Sequence, residues 1–401
     1  MAKLADTGRR TAEFLGLNAS MIAMVVLVVF IGLGEKMAER FLPLYLVALG
    51  GSTIAVGSLN AMDNLLSALY SFPGGWLSDR LGYKRALVVF TLAAMLGYLL
   101  VILVPAWWAV FVGSLFFISW TAITLPAVMS MVSKAVPKTK RTMGVTVHSF
   151  VRRIPMALGP VVGGVLIAGL GRVAGIRAAF IAAFVLGAAA IVFVLRFMQD
   201  EPPGSRQTSG GLLASLRFIS PPLRNLLISD ILIRFAEQIP YAFVVLWVVD
   251  VTGHTELQFG LLTTIEMVTA MLVYLPVAYL ADRSTKKPFV LATFCFFTLF
   301  PLVLLGSRTF GMLVLAFVVR GLKEFGEPTR KALIMDLAPE EAKALTFGAY
   351  YLVRDVIVSI AALSSAFLWN VSPATNFLVA AGCGVLGTAW FAVFGRDAAT
   401  T

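Results

Sequence analysis

Apolar stretches of about twenty residues, the length a helix needs to cross a hydrocarbon core, recur twelve times along this sequence. They fall near 18–46, 53–76, 86–104, 107–134, 143–170 and 176–197, then near 225–250, 257–280, 288–307, 311–337, 344–369 and 374–395. Only 13% of the residues are charged and 59% are hydrophobic, whereas a soluble domain carries about a quarter charged residues. The sequence therefore predicts an all-α membrane protein: twelve transmembrane helices in two pseudo-symmetric six-helix bundles. The expected N-terminal bundle covers 1–197 and the C-terminal bundle 225–401. Between them, 198–224 reads as a cytoplasmic linker, because Glu201-Pro202-Pro203-Gly204-Ser205 and Ser209-Gly210-Gly211 cluster turn-forming residues there. Lys3, Arg9 and Arg10 ahead of apolar sequence resemble a signal peptide, but the run continues to Leu46, too long for a cleaved segment. It reads as the first span.

The net charge of +11 has a simpler source than nucleic acid. With these spans, 19 of the 32 Lys and Arg flank the side that holds both termini and the linker, and only Arg172, Arg177 and Arg308 flank the other. Basic residues accumulate on the cytoplasmic side, so both termini are expected in the cytoplasm of a cell with the chain in its plasma or inner membrane. Cys295 and Cys383, both within apolar stretches, argue against a disulfide framework. His148 and His254 are too few and too separated for a metal site. No nucleophile–base pair, metal cluster or nucleotide loop suggests an enzyme, and no cofactor is expected.

Ten basic and nine acidic residues nevertheless lie inside the expected helices. An ionised group facing lipid near mid-bilayer costs roughly 3 kcal/mol on the mildest scale, so all of them together would cost on the order of 50 kcal/mol. Such a sum exceeds the stability of a typical fold. The charges must be paired, lie at the interface or line water. We read Glu35, Glu39, Arg40, Asp63, Arg152, Arg234, Glu237, Glu266, Arg320, Lys323, Glu324, Glu327 and Arg354 as candidates for a substrate and ion-coupling cavity. In the tenth span, Arg320, Lys323, Glu324, Glu327 and Lys331 would share one helical stripe, with Arg320–Glu324, Lys323–Glu327 and Glu327–Lys331 as i,i+4 pairs and Pro328 interrupting the helix beside them. In the first span Glu35–Glu39 and Lys36–Arg40 are like-charged at that spacing, so partners on other helices are expected.

The chain also repeats itself. Gly75-Trp76-Leu77-Ser78-Asp79-Arg80-Leu81-Gly82-Tyr83-Lys84-Arg85 has a weaker copy in Tyr279-Leu280-Ala281-Asp282-Arg283-Ser284-Thr285-Lys286-Lys287, with Leu77, Asp79, Arg80 and Lys84 falling on Leu280, Asp282, Arg283 and Lys287 at one offset. Pro126 and Pro137 find partners at Pro328 and Pro339 at nearly that offset, and Arg152 finds Arg354. Two similar membrane halves suggest a passage opened first to one side and then to the other.

The first copy resembles the loop signature between helices two and three of the major facilitator superfamily. The resemblance implies a gating motif of Gly75, Asp79, Arg80, Gly82, Lys84 and Arg85, with Asp282 and Arg283 as its second-half counterpart. Gly159-Pro160-Val161-Val162-Gly163-Gly164 resembles part of that family's antiporter motif, and implies that Gly159, Pro160, Gly163 and Gly164 let helices five and eight approach. The expected function is a secondary active permease, a monomer in the lipid bilayer. It would move a small-molecule substrate by alternating access, with proton-coupled efflux by antiport as the leading mode. A proton-coupled symporter importing an organic anion, and a lipid flippase on the same fold, are the alternatives.

Overall fold

The computed structural model describes residues 19–118, 120, 124, 141–199, 219–281, 285–339 and 343–397, apart from side chains at 19–21, 71–76, 79, 141–151, 274, 275, 278, 279, 281 and 343–345. All regular structure among them is helical: α1 Ala19–Glu39, α2 Leu42–Ala48, α3 Thr53–Leu81, α4 Tyr83–Leu103, α5 Trp107–Phe117, α6 Arg141–Leu170 and α7 Arg172–Phe197. There follow α8 Pro221–Tyr241, α9 Val244–Leu246 with a π-helical turn Trp247–Val251, α10 Glu256–Ala281, α11 Lys287–Gly306, α12 Phe310–Leu322, α13 Glu327–Leu337, α14 Lys343–Val371 and α15 Pro373–Phe394. Each of the twelve expected spans holds described helix.

Among the described residues, seven helices are long and apolar enough to cross a membrane, and an eighth arises if Pro221–Tyr241 and Val244–Val251 are joined across their 42° bend. Three of the other spans are broken or short. The first breaks between Glu39 and Leu42, beside Pro43, and the tenth between Leu322 and Glu327. In the fourth, the continuous described helix is Trp107–Phe117, and Trp120 and Thr124 are helical as well.

Contacts divide the chain into two compact units, Met1–Phe41 with Leu69–Gln207 and Leu42–Ala68 with Thr208–Thr401. In unit 1, α1 packs on α7 and α6, and α4 packs on α5 and α7. Unit 2 repeats that order: α8 packs on α15 and α14, and α11 packs on α15 and α12. The internal repeat seen in the sequence is thus a repeat of packing. Leu42–Ala68 is tied into unit 2 by Asn60, whose amide donates to the Gln238 carbonyl (3.2 Å), and by Asn64, which donates to the Gln238 side chain (3.2 Å). Gly57 lies so near α14 that a Cβ there would fall 2.8 Å from that of Ala366.

Local chemistry sets the helix ends. Ser220 and Ser372 accept from the backbone N–H three residues on (3.4 and 2.9 Å), each followed by proline in the first turn. Gly82 and Gly171, both at φ +81°, are single-residue turns between α3 and α4 and between α6 and α7. Only glycine occupies that region without strain. The first of them corrects the expectation of a signature loop. Gly75 to Leu81 continue α3 in helical form, and Gly82 alone makes the turn.

The antiporter-like glycines make close contacts within unit 1. A Cβ on Gly159 would meet Lys36 at 2.7 Å, and one on Gly163 would meet the Met37 carbonyl oxygen at 2.1 Å. These small residues seat the fifth span on the first. Gly163→Val is expected to force α1 and α6 apart and to cost about 1–3 kcal/mol. Thermal unfolding of the detergent-purified protein checks this, and an unchanged midpoint would refute the packing.

Candidate functional site

Asp230, Arg234 and Glu237 stand at i, i+4 and i+7 of α8, so one face of that helix carries all three. That face meets Lys323 after α12, Glu327 and Arg330 of α13, and Tyr350 and Arg354 of α14, and Lys323 carries the series on to Glu266 of α10 and Arg320 of α12. The result is one chain of alternating charge through the interior of unit 2. The guanidinium of Arg320 reaches Glu266 at 3.3 Å, and the Lys323 ammonium lies 3.7 Å from the same carboxylate oxygen and 2.6 Å from Glu237. Glu237 also accepts from Arg234 at 2.5 Å, and Arg234 reaches Glu327 at 3.3 Å. Glu327 accepts from Arg330 at 2.6 and 3.0 Å. Arg330 then donates to Asp230, which also takes Tyr350 Oη (3.1 Å) and Arg354 (3.4 Å) on one oxygen. Arg354 closes the series on Asp355 at 2.7 Å.

Aromatic faces cover several of these cations. Arg320 lies 5.1 Å from the centre of Phe300, 5.6 Å from Phe317 and 5.8 Å from Tyr241. Arg234 and Lys323 both lie over Phe297, at 5.3 and 5.6 Å, and Arg354 over Tyr351 at 4.1 Å. Burial is deep: Asp230, Glu266 and Arg330 are at most 1% exposed, while Glu237 and Arg234 keep 11% and 18% of their side chains open. Arrangements of this kind keep charge inside a membrane protein by matching signs rather than by neutralising groups.

The break in the tenth span is part of the site. Gly326 donates its N–H to Thr293 Oγ1, and a Cβ on Gly326 would fall 2.4 Å from the Phe289 carbonyl oxygen. Glu327 and Pro328 open α13 immediately afterwards. Gly321 admits α10, since a Cβ there would come 2.6 Å from the Glu266 carbonyl oxygen. The expected single stripe is therefore corrected. Lys323 to Gly326 interrupt the helix, so i,i+4 geometry does not run through them. Arg320 turns to Glu266 and Lys323 to Glu237, each on another helix. Of the three expected pairs, Glu327–Lys331 forms (3.5 Å), with Lys331 largely exposed. Glu324 is partly buried in the break itself.

In unit 1 the arrangement is smaller. Lys36 bridges Glu35 (3.0 Å) and Glu39 on their own helix. Arg152 of α6 lies within Coulombic range of Glu35. Arg40 is partly buried at the break of the first span. Asp63, placed by its contacts in unit 2, accepts from Ser67 Oγ at 3.5 Å. Of the signature, Arg80 and Arg85 are exposed and Lys84 is half-buried, whereas the side chains of Gly75 and Asp79, and all of Asp282 and Arg283, lie outside the described residues.

Sequence reasoning counted Asp230 and Arg330 among the intramembrane charges without placing them in the site, and Tyr350 not at all. The structure makes Asp230 a hub. The signal was present in the 230, 234, 237 spacing, which marks one helix face, and in Tyr350 one turn before Arg354.

The family description Major Facilitator Superfamily matches residues 24–232 and again 226–401. The chain belongs to the major facilitator superfamily. Its fold is that of secondary transporters, in a multi-pass membrane protein. Among solved structures, it is similar to a mutant of the nucleoside transporter NupG (15% identity, TM-score 0.77, covering 94% of this chain and 100% of that one). It is similar to a POT family transporter in complex with a thioalcohol-conjugated peptide (13%, TM-score 0.76, 93% and 95%). It also resembles a bacterial homologue of the human lysosomal transporter Spinster in an inward-facing, unoccupied conformation (12%, TM-score 0.70, 93% and 94%). No curated protein matches significantly. At these identities the likeness establishes the shared major facilitator fold.

Proposed function

We propose that this major facilitator protein moves a small solute across the cell membrane by alternating access, in exchange for protons, with export as the working direction. The observation that carries the reading is the sharing of Lys323 between Glu237 and Glu266 (2.6 and 3.7 Å). Arg234 also holds Glu237 and Arg320 also holds Glu266, so a proton or solute cation taken by either carboxylate would redistribute three cations carried by α8 and the end of α12. A proton on Glu237 would end its claim on Lys323 and on Arg234, and through Arg234 would reach Glu327. In that way one protonation step touches α8, α10, α12 and α13 together, which is what coupling to a conformational change requires.

The remaining parts of the proposal are these. The bundles 1–197 and 225–401, joined through 198–224, work as the two moving bodies of a monomer. Both termini are cytoplasmic, and Asp79, Arg80, Lys84, Arg85, Asp282 and Arg283 gate that side. Against the import of an organic anion stands the pairing of Arg320 and Arg354, each already matched by a carboxylate that an anion would have to displace.

A growth screen of a deletion strain across toxic compounds supplies the solute. Proteoliposomes with pH gradients imposed in either direction then supply the test. We expect solute to accumulate only on the acidic side, with protons moving oppositely. Co-directional movement would establish symport instead, and ATP-independent movement of labelled lipid without solute flux would establish a flippase.

A further inference from the structure

Three cations of unit 2 occupy one kind of chemical surrounding. Arg320 sits among Phe300, Phe317 and Tyr241 with the Glu266 carboxylate at 3.3 Å. Lys323 has the Phe297 face at 5.6 Å, with Glu237 and Glu266 beside it. Arg234 shares that Phe297 face and reaches Glu237 and Glu327. An aromatic face with a desolvated carboxylate at its edge is the combination that recognises an organic cation. Phe297 and Phe300 themselves are nearly buried, at 4% and 5% exposure. The guanidiniums are each held by a carboxylate and, for Arg234 and Arg320, covered by aromatic rings, which leaves the Lys323 ammonium as the cation to be exchanged.

The three cations are not held equally. Arg320 is enclosed by three rings on a helix that Gly321 presses against α10. Arg234 divides its guanidinium between Glu237 and Glu327 in the middle of α8. Lys323 instead is a point charge on a flexible stem. It leaves the helix at the break and has one short and one long carboxylate contact.

We infer that the solute is an organic cation, an amine, quaternary ammonium or guanidinium, bound by Glu237, Glu266 and the Phe297 face, and that Lys323 is its tethered stand-in. When the solute is away, the Lys323 ammonium fills its place and keeps the carboxylates matched. When the cation enters, Lys323 withdraws. The facing charges fit this exchange, with Glu327 and Arg330 of α13 held beyond Arg234. Glu237 and Arg234 come from α8, Glu266 from α10 and Arg320 from the end of α12, while α11 contributes only the uncharged rings Phe297 and Phe300. The inference rests on the exchange reading above, because proton and cation would compete for the same two carboxylates.

The test is binding without any gradient. The full-length protein in detergent is titrated calorimetrically with benzyltrimethylammonium, with benzoate as the anionic counterpart of similar size. We expect the cation and not benzoate to bind. Lys323→Met should tighten cation binding about tenfold by removing the competitor, and Phe297→Leu, in the native Lys323 background, should weaken it about tenfold. Preference for benzoate, binding of neither probe, or cation binding weakened in Lys323→Met would overturn the inference. Should Lys323→Met not fold, an unchanged affinity in Phe297→Leu overturns it alone. Cation binding that persists while proteoliposomes show no proton exchange would remove only the coupling mode.

Discussion

Asp230→Asn is expected to destabilise the protein by about 3–5 kcal/mol, the range found when one member of a buried ion pair is removed. Its carboxylate takes Arg330, Arg354 and Tyr350, and lies fully buried. Without that charge, Arg330 is left with Glu327 and Arg354 with Asp355, Tyr350 Oη loses its acceptor, and the buried network carries a surplus positive charge. The effect should appear as a lower thermal midpoint and as aggregation during purification. Adding Arg354→Met to the same chain should restore part of the loss, since it removes one cation from the surplus. If the single variant unfolds at the native temperature, Asp230 is no hub, and the rest of the network must hold unit 2 without it.

Glu237→Gln and Glu266→Gln should act on transport more than on folding. Each keeps the shape and part of the hydrogen bonding but can no longer exchange a proton. Loss of a charge-assisted hydrogen bond is worth about 1.5–3 kcal/mol, so uphill transport should fall by about 10- to 100-fold. Downhill movement along a solute gradient should persist. The measurement is uptake into proteoliposomes with and without an imposed pH gradient. Retained uphill transport in both variants would place proton coupling elsewhere, with Glu35 and Glu39 as the first residues to examine. The same assay on Glu39→Gln and Glu324→Gln then asks whether those two belong to the site or only hold helices together.

Much of the fold was legible because the bilayer imposes one length and one kind of backbone. The windows at 86–104, 288–307 and 374–395 predict helices that the structure places at Tyr83–Leu103, Lys287–Gly306 and Pro373–Phe394. Departures occur where a proline or a glycine stands near charge. Span ten is interrupted between Leu322 and Glu327, and span seven bends between Tyr241 and Val244 after Pro240. A window average smooths over such points, since a break of a few residues hardly alters mean hydropathy.

The candidate site was legible in kind rather than in wiring. Burying charge in lipid is so costly that balanced signs foretell pairing, and the pairs are there. Spacing along one helix did not tell that Lys323 turns to Glu237 and Arg320 to Glu266, because a helix break can redirect a side chain to another element. Nor did it tell that Lys36 bridges Glu35 and Glu39 within α1.

From residue order alone came the membrane setting, the two-fold internal repeat, the positions of the spans and the family, since hydropathy, charge balance and short motifs are local properties of the chain. Only the tertiary structure decided that α8 gathers the network around Asp230, that Gly159 and Gly163 receive α1, and that Phe297 lies beneath two cations. Those facts depend on which helix faces meet, and long-range packing selects them from many pairings that the local pattern permits equally.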